Sequence, residues 1–345
     1  MKLRKLMGID SISGKKILLR ADLDVPVDDS LNITDLTRLK ACLPTIRYLL
    51  DKGAKLAILT KIGRPEERRI STKILMPELE KSTEAKIVWI DSCEGPLVQK
   101  RLDDLRSQEI LLLENIRFYP EEETQDIGFA KKLAAPFDIY VNEAFAMCHR
   151  KDASITLVPK FSPHYAGFRL CKEIEVLSKV LESPQRPLIA VIGGAKIETK
   201  LPVIENLAKI ADEVLVGGAI PYLPSPNSPH LPNLPNIITP RDNIDKRDIG
   251  PETIKLFRAE ILNAKTIVWN GPMGVFEEVK YEKGTMEIAK AIAESAAYKV
   301  AGGGDTTSAI DKLGITEKFD FISTGGGAML DFMAEKKLPG IEALK

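Results

Sequence analysis

The sequence predicts an α/β fold of two lobes, each a parallel β-sheet flanked by helices, and three observations carry that prediction. The chain's 345 residues exceed what one hydrophobic core usually organises. Short apolar runs without polar alternation recur along it, as strands buried on both faces do. Amphipathic helical patterns separate most of these runs, and repeated βα units imply parallel sheets with right-handed crossovers.

In the first half the expected strands are 16–19, 55–59, 86–90, 110–113 and 138–141. In the second half they are 188–192, 213–216, 236–239, 266–269, 299–301 and 319–323. Clear helical patterns cover 34–52, 199–210, 281–294 and 306–313. A break between the halves is expected in the Pro- and Gly-rich stretch VPKFSPHYAG, 158–167. The helical pattern 168–181 then reads as a connector, ended by a second breaker, ESPQRP. The expected domains are therefore a first lobe at 1–166, a connecting helix and hinge at 167–184 and a second lobe at 185–329. Pro221, Pro224, Pro226, Pro229, Pro232 and Pro235 recur too densely for any helix, since each removes a donor and clashes with the preceding turn. That segment is expected to be an extended surface loop.

Composition narrows the function. Formal net charge is zero and the pI is about 6.9, so bulk electrostatics favours neither nucleic acid nor an anionic membrane as partner. Cys42, Cys93, Cys148 and Cys171 form no CxxC pair and read as free thiols of a reducing compartment. The opening MKLRKLMGID lacks the apolar core of a signal peptide, and no apolar run approaches the ~20 residues that cross a bilayer. A cytoplasmic location is expected.

In open α/β sheets ligands bind beyond the carboxyl ends of the strands. In the first half those positions are charged. Arg20, Asp22 and Asp24 follow the first run, and Lys61, Gly63 and Arg64 the second. Glu114, Asn115 and Arg117 follow the fourth, and Asn142, Glu143, His149 and Arg150 the fifth, while Arg38 opens the first long helix. Guanidinium forks match carboxylate and phosphate oxygens, so this edge is expected to hold a small anion.

In the second half the same positions carry glycine. The turns hold Gly193, Gly194 and Lys196; Gly217 and Gly218; Asn270, Gly271 and Glu277; Gly302, Gly303, Gly304, Asp305 and Thr306; and Gly325, Gly326 and Gly327. Glycine at a strand-to-helix turn lets backbone amides approach phosphate oxygens at a helix N-terminus. With Lys196, Lys200 and Asp305 among them, these turns predict a nucleotide site, and an Asp at such a turn suits Mg2+. Neither GxxxxGK[ST] nor GxGxxG is present, so this is not a P-loop or dinucleotide fingerprint. There is also no His/Cys cluster for a transition metal and no GxSxG elbow.

These segments resemble a known family. RADLDVP, LTRLKACLPTIRYLLDKGAKLAILTKIGRP, LLLENIRFYPEEE and YVNEAFAMCHRKDAS resemble the first lobe of phosphoglycerate kinase. AGFRLCKEIEVLSKVL resembles its interdomain helix. GGAKIETKLPVIENL, VWNGPMGVFE, VAGGGDTTSAI and STGGGAMLDFMAEKKLPGIEAL resemble its second lobe and a tail, about 330–345, that packs back on the first. The resemblance implies two Rossmann-like lobes joined by an interdomain helix and hinge. It also implies reversible, Mg2+-dependent transfer of a phosphoryl group between ATP and 3-phosphoglycerate, giving ADP and 1,3-bisphosphoglycerate, in glycolysis and gluconeogenesis. A monomer is the family expectation. Carried over, Asp22, Asp24, Arg38, Lys61, Arg64, Arg117 and Arg150 would hold the phosphoglycerate. Gly194, Lys196, Lys200, Gly218, Asn270, Glu277, Gly303, Gly304, Asp305 and Thr306 would hold the nucleotide, with Asp305 on Mg2+. Arg38, Lys200, Gly326 and Gly327 would stabilise the transferring group. Such chemistry needs positioning and charge neutralisation more than covalent catalysis, with hinge closure to exclude water.

The chain departs from the family pattern at several points. Asp24 stands where the family has Asn, Lys61 where it has His, Glu143 where it has Asp, and Asp152 replaces a second His. An extra carboxylate at Asp24 should repel an anionic substrate, so Asp24 and Lys61 are expected to pair. Across 219–241 the family carries a helix and about one more βα unit, part of which walls the nucleotide base, where this chain has its proline run. A more open base pocket, with weaker binding or relaxed choice between ATP and GTP, is expected. These departures motivate two other readings: a relative with an altered substrate, and one with weak activity and a binding role.

Overall fold

The structure, a computed structural model, describes residues 3–64, 66, 68–222 and 231–345. They fall into two compact units, one reaching to Ile174 together with Lys337–Lys345, the other Glu175–Lys336.

The first unit is built on β1 (Lys16–Arg20), β2 (Lys55–Leu59), β3 (Lys86–Trp89), β4 (Glu109–Leu112), β5 (Ile139–Asn142) and β6 (His164–Ala166). All pair in parallel, in the order β3-β4-β2-β1-β5-β6. The helices are α1 (Thr37–Asp51), α2 (Met76–Thr83), α3 (Pro96–Asp104), α4 (Pro120–Glu123), α5 (Ile127–Ala134) and α6 (Ala153–Thr156), and α7 (Phe168–Glu182) begins in this unit and ends in the second. Ile17, Leu19, Leu56, Ile58, Ile110 and Leu112 are fully buried between the sheet and its helices. Helix α1 begins three residues later than its pattern suggests. The Asp35 carboxylate accepts hydrogen bonds from the Thr37 amide at 2.9 Å and hydroxyl at 2.7 Å, an alternative to helix that favours a start there.

Strand β6 was not expected. It lies in the stretch read as a break between halves, beside a 3-10 turn at Val158–Lys160. Three residues give no periodic signal, and Pro163 before it suggested a loop. An edge position resolves the conflict, because proline there removes no ladder bond: Pro163 only accepts, from the Tyr140 amide at 2.9 Å.

The second unit carries β7 (Leu188–Ile192), β8 (Glu213–Val216), β9 (Ile237–Ile238), the hairpin β10 (Asn243–Ile244) and β11 (Asp248–Ile249), β12 (Thr266–Asn270), β13 (Tyr298–Gly302) and β14 (Phe321–Ser323). The sheet is parallel in the order β14-β13-β12-β7-β8-β9. Its helices are α8 (Ile197–Ile210), α9 (Pro251–Asn263), α10 (Lys283–Glu294), α11 (Gly304–Lys312) and α12 (Gly327–Met333). Trp269, Phe257, Ile261 and Ile288 fill its core. The tail helix α13 (Pro339–Glu342) belongs to the first unit, where the Gly340 amide donates to the Cys148 carbonyl at 2.9 Å. In the proline run, Pro221 sits in a 3-10 turn at Ile220–Tyr222 and 231–234 has no regular structure, whereas Pro224, Pro226 and Pro229 lie outside the described residues. Among the described residues no helix is long and apolar enough to cross a membrane.

Each sheet reverses its strand order once, between β1 and β5 in the first unit and between β7 and β12 in the second. Crevices beyond the carboxyl ends of such neighbours are where open α/β sheets take ligands.

Candidate functional site

In the first unit the residues after β1, β2, β4 and β5 form three groups of opposed charges. The first joins Asp22, just past β1, to Arg38 in the first turn of α1, with Nη1 donating to Oδ2 at 2.6 Å. Asp22 Oδ1 is buried without a hydrogen-bond partner among the described residues. The second joins Asp24 to the loop after β2: Oδ1 accepts from the Gly63 amide at 2.8 Å and Oδ2 from Lys61 Nζ. The expected Asp24–Lys61 pair therefore forms, and it anchors the turn that leads to the exposed Arg64. The third joins Arg117, in a 3-10 turn after β4, to Arg150, after β5. Asp152 and Glu123 bridge these two guanidiniums. Arg38, Lys61, Arg117 and Arg150 thus each face a carboxylate of the chain itself.

Buried polar groups hold these loops. Asn115 Nδ2 donates to the carbonyls of Ile62 and Ile70, both at 2.8 Å, fastening the loop that carries Arg64. Arg20 is turned inward, not toward the charged edge. Its Nε donates to Ser154 Oγ at 2.9 Å, and Ser154 in turn donates to Glu122 through its hydroxyl and amide at 2.6 and 2.7 Å. Burial raises the Glu122 pKa, with the Arg20 charge opposing. Sequence reasoning missed this lock, because Arg20, Glu122 and Ser154 meet only through tertiary packing.

Glu143 is also buried. Its Oε1 accepts from Thr45 Oγ1 at 2.5 Å and from the Arg169 amide in the first turn of α7 at 2.9 Å. A side chain at Gly167 would collide with this carboxylate, its Cβ falling 1.8 Å from Oε2. Burial pushes the Glu143 pKa up to about 7, against the pull of those two donors. The folded protein thus binds this proton more tightly than the unfolded chain does, and stability contributed by the group is lost as pH rises from about 4.5 to 7. Glu143→Gln keeps an acceptor for both short bonds and is expected to gain up to about 3 kcal/mol over the natural protein at pH 8 relative to pH 5. Thermal unfolding of both proteins at the two pH values reads this; parallel shifts would refute it.

In the second unit the glycine turns converge on the switch between β7 and β12. Lys200, in the second turn of α8, is 9% exposed and donates from Nζ to Asn270 Oδ1 at the end of β12. Asn270 Nδ2 donates to the Gly302 carbonyl at 2.7 Å, tying β12 to β13. The Gly271 amide donates to Thr306 Oγ1 at 2.7 Å, which links this turn to α11. Burial lowers the Lys200 pKa to about 8, with the Asp305 charge opposing.

Two glycines here admit no substitute. Gly271 has φ +96°, and a Cβ would lie 2.2 Å from the Gly193 carbonyl oxygen. Gly218 has φ +68°, and a Cβ would lie 2.6 Å from both the amide nitrogen and the carbonyl oxygen of Gly194. The turns after β7, β8 and β12 thus pack backbone against backbone, with Gly194 donating to the Pro272 carbonyl at 2.9 Å.

Gly303 precedes the first turn of α11, and Gly304 and Asp305 in that turn are exposed. Lys196 caps α8 and is exposed, and Gly326 precedes α12, which opens at Gly327. Glu277 is exposed on the segment between β12 and α10. Sequence reasoning also missed Asp248. This fully buried carboxylate accepts from the Gly284 amide at 2.8 Å and fills the space behind Gly274, so it holds the VWNGPMGVFE turn from beneath. Burial pushes its pKa up to about 6. No residue pattern marks it, because apart from the adjacent Ile249 amide at 2.9 Å its partner is the Gly284 amide, distant in sequence.

Comparison with known proteins shows the family. The family model described as phosphoglycerate kinase matches residues 7–223 and 234–336. A phosphoglycerate kinase of Dictyoglomus turgidum is 38% identical over 384 aligned positions, covering 97% of each chain. A chloroplastic phosphoglycerate kinase of Volvox carteri is 38% identical, covering 98% of this chain and 85% of that one. The crystal structure of phosphoglycerate kinase from Pyrococcus horikoshii superposes with a TM-score of 0.87 at 33% identity, covering 99% of this chain and 98% of the other. The chain belongs to the phosphoglycerate kinase family, a family of phosphotransferases.

Proposed function

We propose that this protein catalyses the reversible transfer of a phosphoryl group between ATP and 3-phosphoglycerate, the first unit holding the acid and the second the nucleotide. The observation that carries the reading is Lys200, a buried ammonium held on Asn270 at the switch point of a glycine-turned sheet. A desolvated cation there suits phosphate oxygens and little else. Gly194 and Gly218 shape the same edge with their amides given to the Pro272 and Met273 carbonyls, Gly303 and Gly304 open α11 there, Lys196 adds a charge at the start of α8, and Thr306 fixes the Gly271 turn. Glu277 is assigned to the ribose hydroxyls.

Asp305 suits Mg2+. Among the described residues no group of three acidic or metal-binding side chains forms a cage, and a single exposed carboxylate in a first helical turn leaves room for the phosphate oxygens and waters that this ion prefers. Mg2+ would neutralise phosphate charge.

In the first unit Arg38, Arg64, Arg117 and Arg150 supply guanidiniums for the acid. Asp22 Oδ1, a buried acceptor without a donor among the described residues, suits a substrate hydroxyl. Because the acceptor is a carboxylate, no general base is required. Arg38, Lys200 and the amides of Gly326 and Gly327 then neutralise charge as the phosphoryl group moves. The domain assignment follows the same division: 1–166 with the tail for the acid, 167–184 as connector and 185–329 for the nucleotide. A cytoplasmic monomer is part of the proposal. Incubation with ATP, Mg2+ and 3-phosphoglycerate, with hydroxylamine trapping the acyl phosphate, tests it; absence of the hydroxamate from folded protein would count against it.

The Asp24–Lys61 pair bears on substrate choice. In a double-mutant cycle, Asp24→Asn and Lys61→His are expected to be coupled in their effect on 3-phosphoglycerate affinity by about 1 kcal/mol. Strictly additive effects would separate the pair from substrate recognition.

A further inference from the structure

We infer that Glu123 is an internal competitor of the substrate, holding Arg117 and Arg150 with its own carboxylate and giving way to the substrate's anionic group. This rests on the proposal that these two arginines bind the acid. A single oxygen, Glu123 Oε1, meets both guanidiniums, at 2.7 Å from Arg117 Nη1 and 2.8 Å from Arg150 Nη2. That is the bridging position a phosphate or carboxylate oxygen of a ligand would take between two such forks.

The second carboxylate of the cluster is built differently. Asp152 lies 2.6 Å from Arg117 Nη2 and 3.5 Å from Arg150 Nε. Its side chain is 5% exposed, against 53% for Glu123. Asp152 is also fixed by its backbone, whose carbonyl accepts from the Ile155 and Thr156 amides of α6 at 3.0 and 2.9 Å. Removing its partners would strand a buried charge, which is costly. Glu123 ends α4, next to Glu122, which Ser154 locks in place. The helix is therefore anchored by one glutamate and offers the next to solvent. The Glu123 pair with Arg150, whose side chain is 44% exposed, is weak, and in the pair with Arg117, whose side chain is only 5% exposed, the Glu123 carboxylate is the partner already half in water and so the one that can leave. When Glu123 leaves, two guanidiniums and one carboxylate remain, a site of net charge +1 for a carboxylate or phosphate.

The test measures KM for 3-phosphoglycerate and the dissociation constant of inorganic phosphate for the natural full-length protein, Glu123→Gln, Glu123→Ala and Glu121→Gln. Glu121 is exposed on the same short helix, so its variant removes an equal charge without touching the arginines. The expected result is about fivefold tighter binding in both Glu123 variants, from losing the pairs of this half-exposed carboxylate with the exposed Arg150 and the largely buried Arg117. kcat should change little, because at saturation the glutamate is already displaced. A merely structural surface pair would move neither constant.

Tightening for either ligand that is specific to position 123 supports the inference, even if the natural protein fails to phosphorylate 3-phosphoglycerate and the kinase reading falls. Tightening for neither ligand, or an equal effect of Glu121→Gln, overturns it while leaving turnover, and so the kinase reading, intact.

Discussion

Lys200→Ala is expected to lower kcat by roughly 10²–10³-fold without loss of stability. The two halves of that result have one cause. The Lys200 ammonium is 9% exposed, and burial lowers its pKa to about 8, so the folded state bears a desolvation cost to keep it charged. A charge held in a low-dielectric site acts strongly on phosphate oxygens and needs no reorganisation as the phosphoryl group moves. Truncation removes the effect and relieves the cost. Asn270 loses one donor but keeps its 2.7 Å bond to the Gly302 carbonyl, so the β12–β13 link survives. Lys200→Arg should recover less than tenfold, because a planar fork does not replace a point charge on one amide oxygen. Steady-state rates beside thermal midpoints decide the matter; a fall in both would recast Lys200 as structural.

Arg38→Ala is expected to cost activity and stability together. Asp22 is buried and already carries one oxygen without a partner among the described residues. Removing Arg38 takes away its 2.6 Å contact as well and leaves a charged group unsatisfied, a loss of about 1–3 kcal/mol. Turnover should fall by roughly 10²-fold or more, since Arg38 is assigned to both substrate and transferring group. Asp22→Asn combined with Arg38→Ala separates the two losses, restoring much of the stability and none of the rate. Recovery of rate in the double variant would mean that Arg38 serves only to neutralise Asp22.

Much of the fold was legible because buried parallel strands carry a distinct signature: Leu188–Ile192 is apolar throughout and Lys55–Leu59 is apolar after its first residue, and their bounds needed no correction. His164–Ala166 was not legible, since three residues after a proline have no period, and its role as an edge is set by β5. The same distinction holds at the site. Arginines and glycines could be listed because they follow strands, and the Asp24–Lys61 pair could be expected because both positions depart from the family pattern with opposite charges. Their other partners could not. Glu123 and Asp152 meet Arg117 only through tertiary packing, and Asp248 serves a turn 26 residues further on, a relation no local pattern encodes.

The central claim is that one chain moves phosphate from a nucleotide on glycine turns to an acid on an arginine edge. Its most direct test follows the label from [γ-32P]ATP into 3-phosphoglycerate with Mg2+, in the natural protein, Arg38→Ala and Lys200→Ala. Label in the acyl phosphate from the natural protein, and nearly none from either variant, is the predicted result. No transfer by folded natural protein, or undiminished transfer by both variants, would contradict it.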